Sequence, residues 1–113
     1  KIKNDDHERV WYQDFIDFIK ENKIFAQVLT PKSDALDEHS RWDMWRIQGL
    51  NEILGFYGMP YWYTWQVTIL GLGPLWMTKN KKMRKRAAEL LQKGSVFAFG
   101  LSEREHCADV YST

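Results

Sequence analysis

The residues able to do chemistry gather near the end of this chain. Ser102, Glu103, Arg104, Glu105, His106, Cys107 and Asp109 all stand between positions 102 and 109. Nucleophilic catalysis by a hydroxyl or thiol needs an adjacent base that is itself oriented by a third group. His106 has no evident nucleophile to serve, and Cys107 is a lone thiol without an evident base to ionise it. Glu103 and Asp109 read as loop-fixing carboxylates that bond to backbone, not as an acid/base pair. Ser102 ends an apolar run, so its hydroxyl could donate to a ligand. From its type alone it reads as a turn or capping residue. No Cys or second His stands at metal-ligand spacing from His7, and His39 lies on a charged, water-facing segment. No metal site is expected.

These residues follow an apolar run, Val96 to Leu101, whose Val, Phe, Phe and Leu favour a buried strand. A lone strand cannot hide its edge, and nothing earlier reads as a second strong strand. The chain therefore reads as the front of a longer protein. It begins with Lys1, not Met, and shows no signal peptide, so it is expected to lack its natural N-terminus too.

The elements before the run are helical. Asp5-Asp6 can cap a helix, and Val10, Trp11, Phe15, Phe18 and Ile19 make a helical stripe. Asn22 to Leu29, with Ile24, Phe25, Val28 and Leu29, either continues the helix after a break or forms an extended connection, and Thr30-Pro31 ends it. Lys32 to Asp37 reads as a loop, and a helix is expected from about Asp37 to Leu54, with Gly55 and Gly58 as punctuation. Tyr61 to Leu72 is apolar nearly all round, which calls for burial on every side. Either it is a central core helix with Gln66 bonded to backbone, or one face lines a pocket. Lys79 to Lys93 is a basic helix with a narrow apolar stripe of Met83, Ala87, Leu90 and Leu91, ended by Gly94. Such a cluster can grip phosphates, but no aromatic is interleaved for base stacking, so a solvated outer face is expected.

The totals exclude several classes. With 113 residues and net charge +1, the chain fits one helical domain with no global pull toward nucleic acid or membrane. A single cysteine forbids an internal disulfide and suits a reducing compartment. No apolar run reaches the length of a membrane span. Six Trp, six Phe and five Tyr exceed what one small core takes in, so some rings should face a partner or ligand.

The end of the chain resembles the junction between the helical N-terminal domain and the β-domain of the acyl-CoA dehydrogenase family. The family's signature there is an apolar strand, then Thr-Glu-Pro, two variable residues and Gly-Ser-Asp. Here Ser102-Glu103-Arg104, Glu105-His106 and Cys107-Ala108-Asp109 stand in those places, behind a Gly-Leu-Gly-Pro helix end at Gly71 to Pro74 and a basic helix. The similarity spans roughly Tyr61 to Thr113. The resemblance implies an all-α helical bundle over residues 1–94, then the first strand of a truncated β-domain over 95–113. It implies FAD, with Ser102 hydrogen-bonding the flavin and Phe99 and Leu101 packing near the ring. It places Tyr63, Gln66, Val67 and Leu70 on the acyl-chain chamber, with Ala108 where a serine usually helps hold flavin or substrate.

The implied reaction is α,β-dehydrogenation of an acyl-CoA thioester, with FAD taking the hydride. The implied protein is a homo-oligomer that passes electrons to an electron-transfer flavoprotein, in the cytoplasm or mitochondrial matrix. The family's catalytic base belongs to a C-terminal domain outside this sequence, so the fragment alone is expected to be inactive and not to retain FAD. Three departures stand out. Arg104 replaces proline, Ala108 replaces serine, and Cys107 replaces glycine, which is costly if the backbone there needs a positive φ. Acyl-CoA oxidases and flavin monooxygenases of the same architecture, or a free-standing helical interaction module, are the alternatives.

Overall fold

Side-chain caps fix where two of the helices begin, Asp43 ahead of Met44 and Asn80 ahead of Lys81. A computed structural model describes residues 1–107 and 109–111. It contains α1 (Ile2–His7), α2 (Gln13–Glu21), α3 (Ile24–Leu29), a 3-10 turn (Lys32–Asp34), α4 (Met44–Tyr57), α5 (Met59–Met77) and α6 (Lys81–Gln92). The expected all-α class is what the chain adopts, and no strand occurs among the described residues. The expected strand at 96–101 is instead a segment without regular structure, and the pairing that follows it is a single antiparallel bridge, Glu103 to Cys107.

Three boundaries differ from the sequence reading, each for a local reason. Asp5 and Asp6 lie inside α1, and Arg9 at φ 56° breaks the chain before α2. Val10 and Trp11 thereby leave the expected stripe and are exposed, while Ile19 keeps its core place. α4 begins at Met44, not near Asp37, because Asp43 accepts from the backbone N–H groups of Trp45 and Arg46. Asp37 caps only a turn, accepting from the backbone N–H groups of His39 and Ser40 and from the Ser40 hydroxyl. α5 runs through Pro74 to Met77. Pro74 lacks the N–H that would bond the preceding turn, and the helix ends within one turn of it.

Gly58 alone separates α4 from α5. Asn51 and Trp65 are equidistant from it along the chain, and the Trp65 indole N–H donates to the Asn51 side-chain oxygen at 2.8 Å. The two helices therefore double back on one another. Trp65 is fully buried against Phe25, with ring centroids 5.3 Å apart, so the bond satisfies the one polar atom in a large apolar seam. Ile19, Leu29, Ile47, Leu72 and Leu91 complete that seam. Each such side chain contributes about 1.5–3 kcal/mol on burial.

Polar ties hold the periphery. The Trp76 indole N–H donates to the Leu29 carbonyl at 3.0 Å, joining α5 to the end of α3. Arg84 of α6 pairs with Asp34 in the 3-10 turn, and Gln92 donates to Asp37. The Arg84 guanidinium, helped by the Ser33 hydroxyl, holds the Asp34 carboxyl below the usual carboxylate range. Burial pushes Asp37 up, and the donors from Ser40, Gln92 and the backbone outweigh it and hold the carboxyl low.

The molecule is a plate of 44 × 44 × 23 Å. Its radius of gyration of 15.5 Å exceeds the roughly 13 Å of an average domain of this length.

Candidate functional site

α5 carries no charged residue over its whole length. Its buried positions, Trp65, Thr68 and Leu72, fall on one side. Tyr63, Gln66, Val67 and Leu70 recur at helical spacing on the other, as the sequence reading placed them together. Burial on every side is not what the helix attains: Tyr63 is 62 % exposed and Leu70 44 %, while Gln66 and Val67 are half-buried. Met59 and Met77 extend the exposed apolar face to both helix ends. On α4, Trp45 and Phe56 are more than four-fifths exposed, so the surplus of rings expected to face outward does so.

The approach to Ser102 is built from the C-terminus of α6. Gly94 takes φ +79° past the helix end. Its N–H bonds the Leu91 carbonyl at 2.9 Å, and the Ser95 N–H bonds the Leu90 carbonyl at 3.0 Å. This paired closure is the Schellman stop that a glycine permits. It turns the chain back across α5 as a strap. The buried Thr68 hydroxyl accepts from the Phe97 N–H at 3.3 Å and lies 3.5 Å from the Phe97 carbonyl. One helical turn on, a Cβ at Gly71 would sit 2.7 Å from the Ala98 carbonyl oxygen, so only glycine lets the strap lie this close. The α5 hydroxyls of Thr64 and Thr68 bond to backbone, Thr64 to the Pro60 carbonyl at 3.1 Å, whereas no such bond from Gln66 is found among the described residues.

Beyond this crossing the predicted flavin contacts stand in the open. Phe99 is 46 % exposed, Leu101 37 %, and the Ser102 hydroxyl has no hydrogen-bond partner among the described residues. Ala108 lies outside the described residues. Glu103 and Cys107 exchange two backbone bonds, of 2.9 and 2.8 Å. His106 Nδ1 is 2.7 Å from the Glu103 carboxylate. The Asp109 carboxylate accepts from the Tyr111 N–H at 3.2 Å, the loop-fixing role expected of it. Cys107 adopts φ +51°, the left-handed region that favours glycine. The steric cost raised by its type is thus present in the fold.

Gly71 and Val67 are one helical turn apart, so the strap runs along the edge of the outward α5 face. The structure brings Tyr63, Gln66, Val67 and Leu70 onto one surface beside the root of the strap, and no hydrogen bond among the described residues joins them to Ser102. Sequence reading missed the strap's anchor. Its signal was a threonine three residues before a glycine on a helix otherwise apolar. A cavity of about 240 Å³ also went unread. Asp5, Asp6, Arg9, Trp11, Tyr12 and Tyr61 are among its walls, so it carries charges of both signs.

No group of His, Cys, Asp or Glu among the described residues is arranged to hold a metal ion. No described helix is long and apolar enough to cross a membrane. Comparison with protein-family models, with curated proteins and with solved structures finds no match to this chain.

Proposed function

We propose that this chain is the helical front of a flavin-dependent oxidoreductase of the acyl-CoA dehydrogenase type, in which the outward face of α5 forms one wall of an acyl chamber. The observation that carries the reading is the surface of Tyr63, Gln66, Val67 and Leu70, uncharged and, at Tyr63 and Leu70, open beside the strap. An apolar wall with few polar groups is what an acyl chain asks of a binding site. The positive φ of Cys107 supports it, because the resembling motif has glycine at that place.

In this reading Ser102 donates its hydroxyl to the flavin, and Phe99 and Leu101 press near the ring. FAD supplies the hydride chemistry when bound. This chain contributes orientation and an apolar wall, and the proton-abstracting carboxylate comes from residues outside it. The substrate is an acyl-CoA thioester, the assembly a homo-oligomer, and the electron acceptor an electron-transfer flavoprotein.

The test is to express the entire open reading frame and inspect the purified protein for bound flavin. A yellow protein bleached by an acyl-CoA, with slower bleaching in Ser102→Ala, supports the reading. A colourless protein that takes up no added FAD sinks it, as does a reading frame that stops at Thr113.

A second reading rests on Trp45, 88 % exposed, and Phe56, 82 % exposed, on α4. These rings suit a helical module that docks a protein partner. Under it, Trp45→Ala and Phe56→Ala weaken partner binding, and Ser102→Ala changes nothing.

A further inference from the structure

The strap does more than cross α5. Phe97 closes one side of a groove of about 350 Å³ between α5 and α6, whose remaining walls are Leu75, Met83, Ala87 and Leu90, with Lys82 and Arg86 also lining it. Apart from those two cations the lining is apolar. Its size falls within the range of small-molecule sites. Met83 is 47 % exposed, so a stripe that belongs with the core stands open to water.

The charged residues that line it are of one sign. Lys81, Lys82 and Lys85 have no carboxylate within ion-pair distance among the described residues. Arg86 makes a 3.7 Å contact with Glu89, which is a loose pair, whereas Arg84 is spent on Asp34. A basic face whose cations repel one another and lack partners favours an anion. An apolar trough beneath it favours a hydrocarbon chain. Lysine and arginine stems can lie along that chain while their heads stay wet.

We infer that the α5–α6 groove binds a single-chain amphiphilic anion of the fatty-carboxylate class, its tail against Leu75, Met83, Leu90 and Phe97 and its carboxylate between Lys82 and Arg86. The site is separate from the outward α5 face and stands whether or not that face lines an acyl chamber.

The probe is laurate, titrated below its aggregation concentration and followed by calorimetry and by the Met83 methyl resonance. One saturable site is expected, with Met83 shifting in step with the heat. Affinity rises about twofold per methylene from hexanoate to laurate, roughly half the effect of full burial. Lys82→Gln with Arg86→Gln weakens laurate about tenfold, the loss of two rim ion pairs. Lys79→Gln with Lys93→Gln removes the same formal charge away from the groove and leaves affinity within twofold. These are surface changes that keep the fold, so a null result is interpretable. Equal binding of dodecyltrimethylammonium would overturn the inference, because the cations would then play no part. Equal weakening by the two double variants would reduce it to net charge. Failure of laurate while anionic phospholipid vesicles bind would assign the basic face to a membrane surface and overturn it as well.

Discussion

Gly71→Ala is the sharpest test of how the strap is held. Two glycines of the same helix differ in surroundings: a Cβ at Gly73 meets nothing within 4 Å, whereas at Gly71 it meets Ala98 backbone at 2.7 to 3.0 Å. Alanine gains about 1 kcal/mol over glycine in a helix interior. Gly73→Ala should therefore stabilise the protein by about that amount. At Gly71 the same gain is opposed by overpacking against backbone, which cannot swing aside as a side-chain tip does. Overpacking costs about 1–3 kcal/mol. If the strap lifts instead, the Phe97 N–H loses its buried Thr68 partner, at about 1–3 kcal/mol. Either route leaves Gly71→Ala destabilised by up to about 2 kcal/mol after the helix gain, and some 1–3 kcal/mol below Gly73→Ala. Urea unfolding followed by circular dichroism measures the difference. Tryptic cleavage after Lys93 reads the lifting route, and should quicken in Gly71→Ala alone. Equal stabilities for the two variants would refute the account of the strap.

Other perturbations follow from the same geometry. Thr68→Val should destabilise by about 1–2 kcal/mol by orphaning the Phe97 N–H, with Thr68→Ser retaining most of that bond, as read by chemical denaturation. Cys107→Gly relieves a left-handed residue worth about 1 kcal/mol, so exchange of the Glu103 and Cys107 amides, measured by hydrogen exchange, should slow about fivefold. Asp34 and Asp37 are both held low in the fold. The stability they contribute is present above the unfolded carboxylate pKa of about 4 and is lost as pH falls through their folded values. Thermal melts of Asp34→Asn and Asp37→Asn should thus lose their gap from the parent protein only below about pH 4. A gap that persists unchanged into acid would count against the ionic ties.

The most legible element was α6, where a cationic face, a narrow apolar stripe and a terminal glycine agree, and the structure adds an Asn80 cap. Its Lys79 to Lys93 reading differs from the helix by a residue or two at each end. Along α5, the family resemblance put Tyr63, Gln66, Val67 and Leu70 on one side, but neither it nor composition could say whether that side is covered in this chain. Apolar residues do not prescribe burial; a neighbouring element has to be there to bury them. Residues 37–43 misled because Asp37 and Asp43 are equally good caps by type, and a bond from distant Gln92 ties one of them to a turn. Arg9 was unreadable, since nothing in an arginine announces a left-handed backbone. The run at 96–101 has strand composition but finds a side-chain hydroxyl where a strand would find a neighbour. Phe99, Leu101 and Ser102 were read from a motif resemblance, and no contact among the described residues bears on the roles it implies; Ala108 lies outside the described residues.

The plate-like shape has a mechanical consequence. At 23 Å it is about two helix diameters thick. There is no middle layer to absorb a displacement. α5 carries the buried indole of Trp65 on one flank and the open surface of Tyr63 and Leu70 on the other. Anything that settles on that surface leans on a rod whose far side is the keystone of the interior. The same rod, through Leu75, borders the trough on the α6 side. A load on one broad side is thus felt, within a single helix width, by the seam and by the trough together.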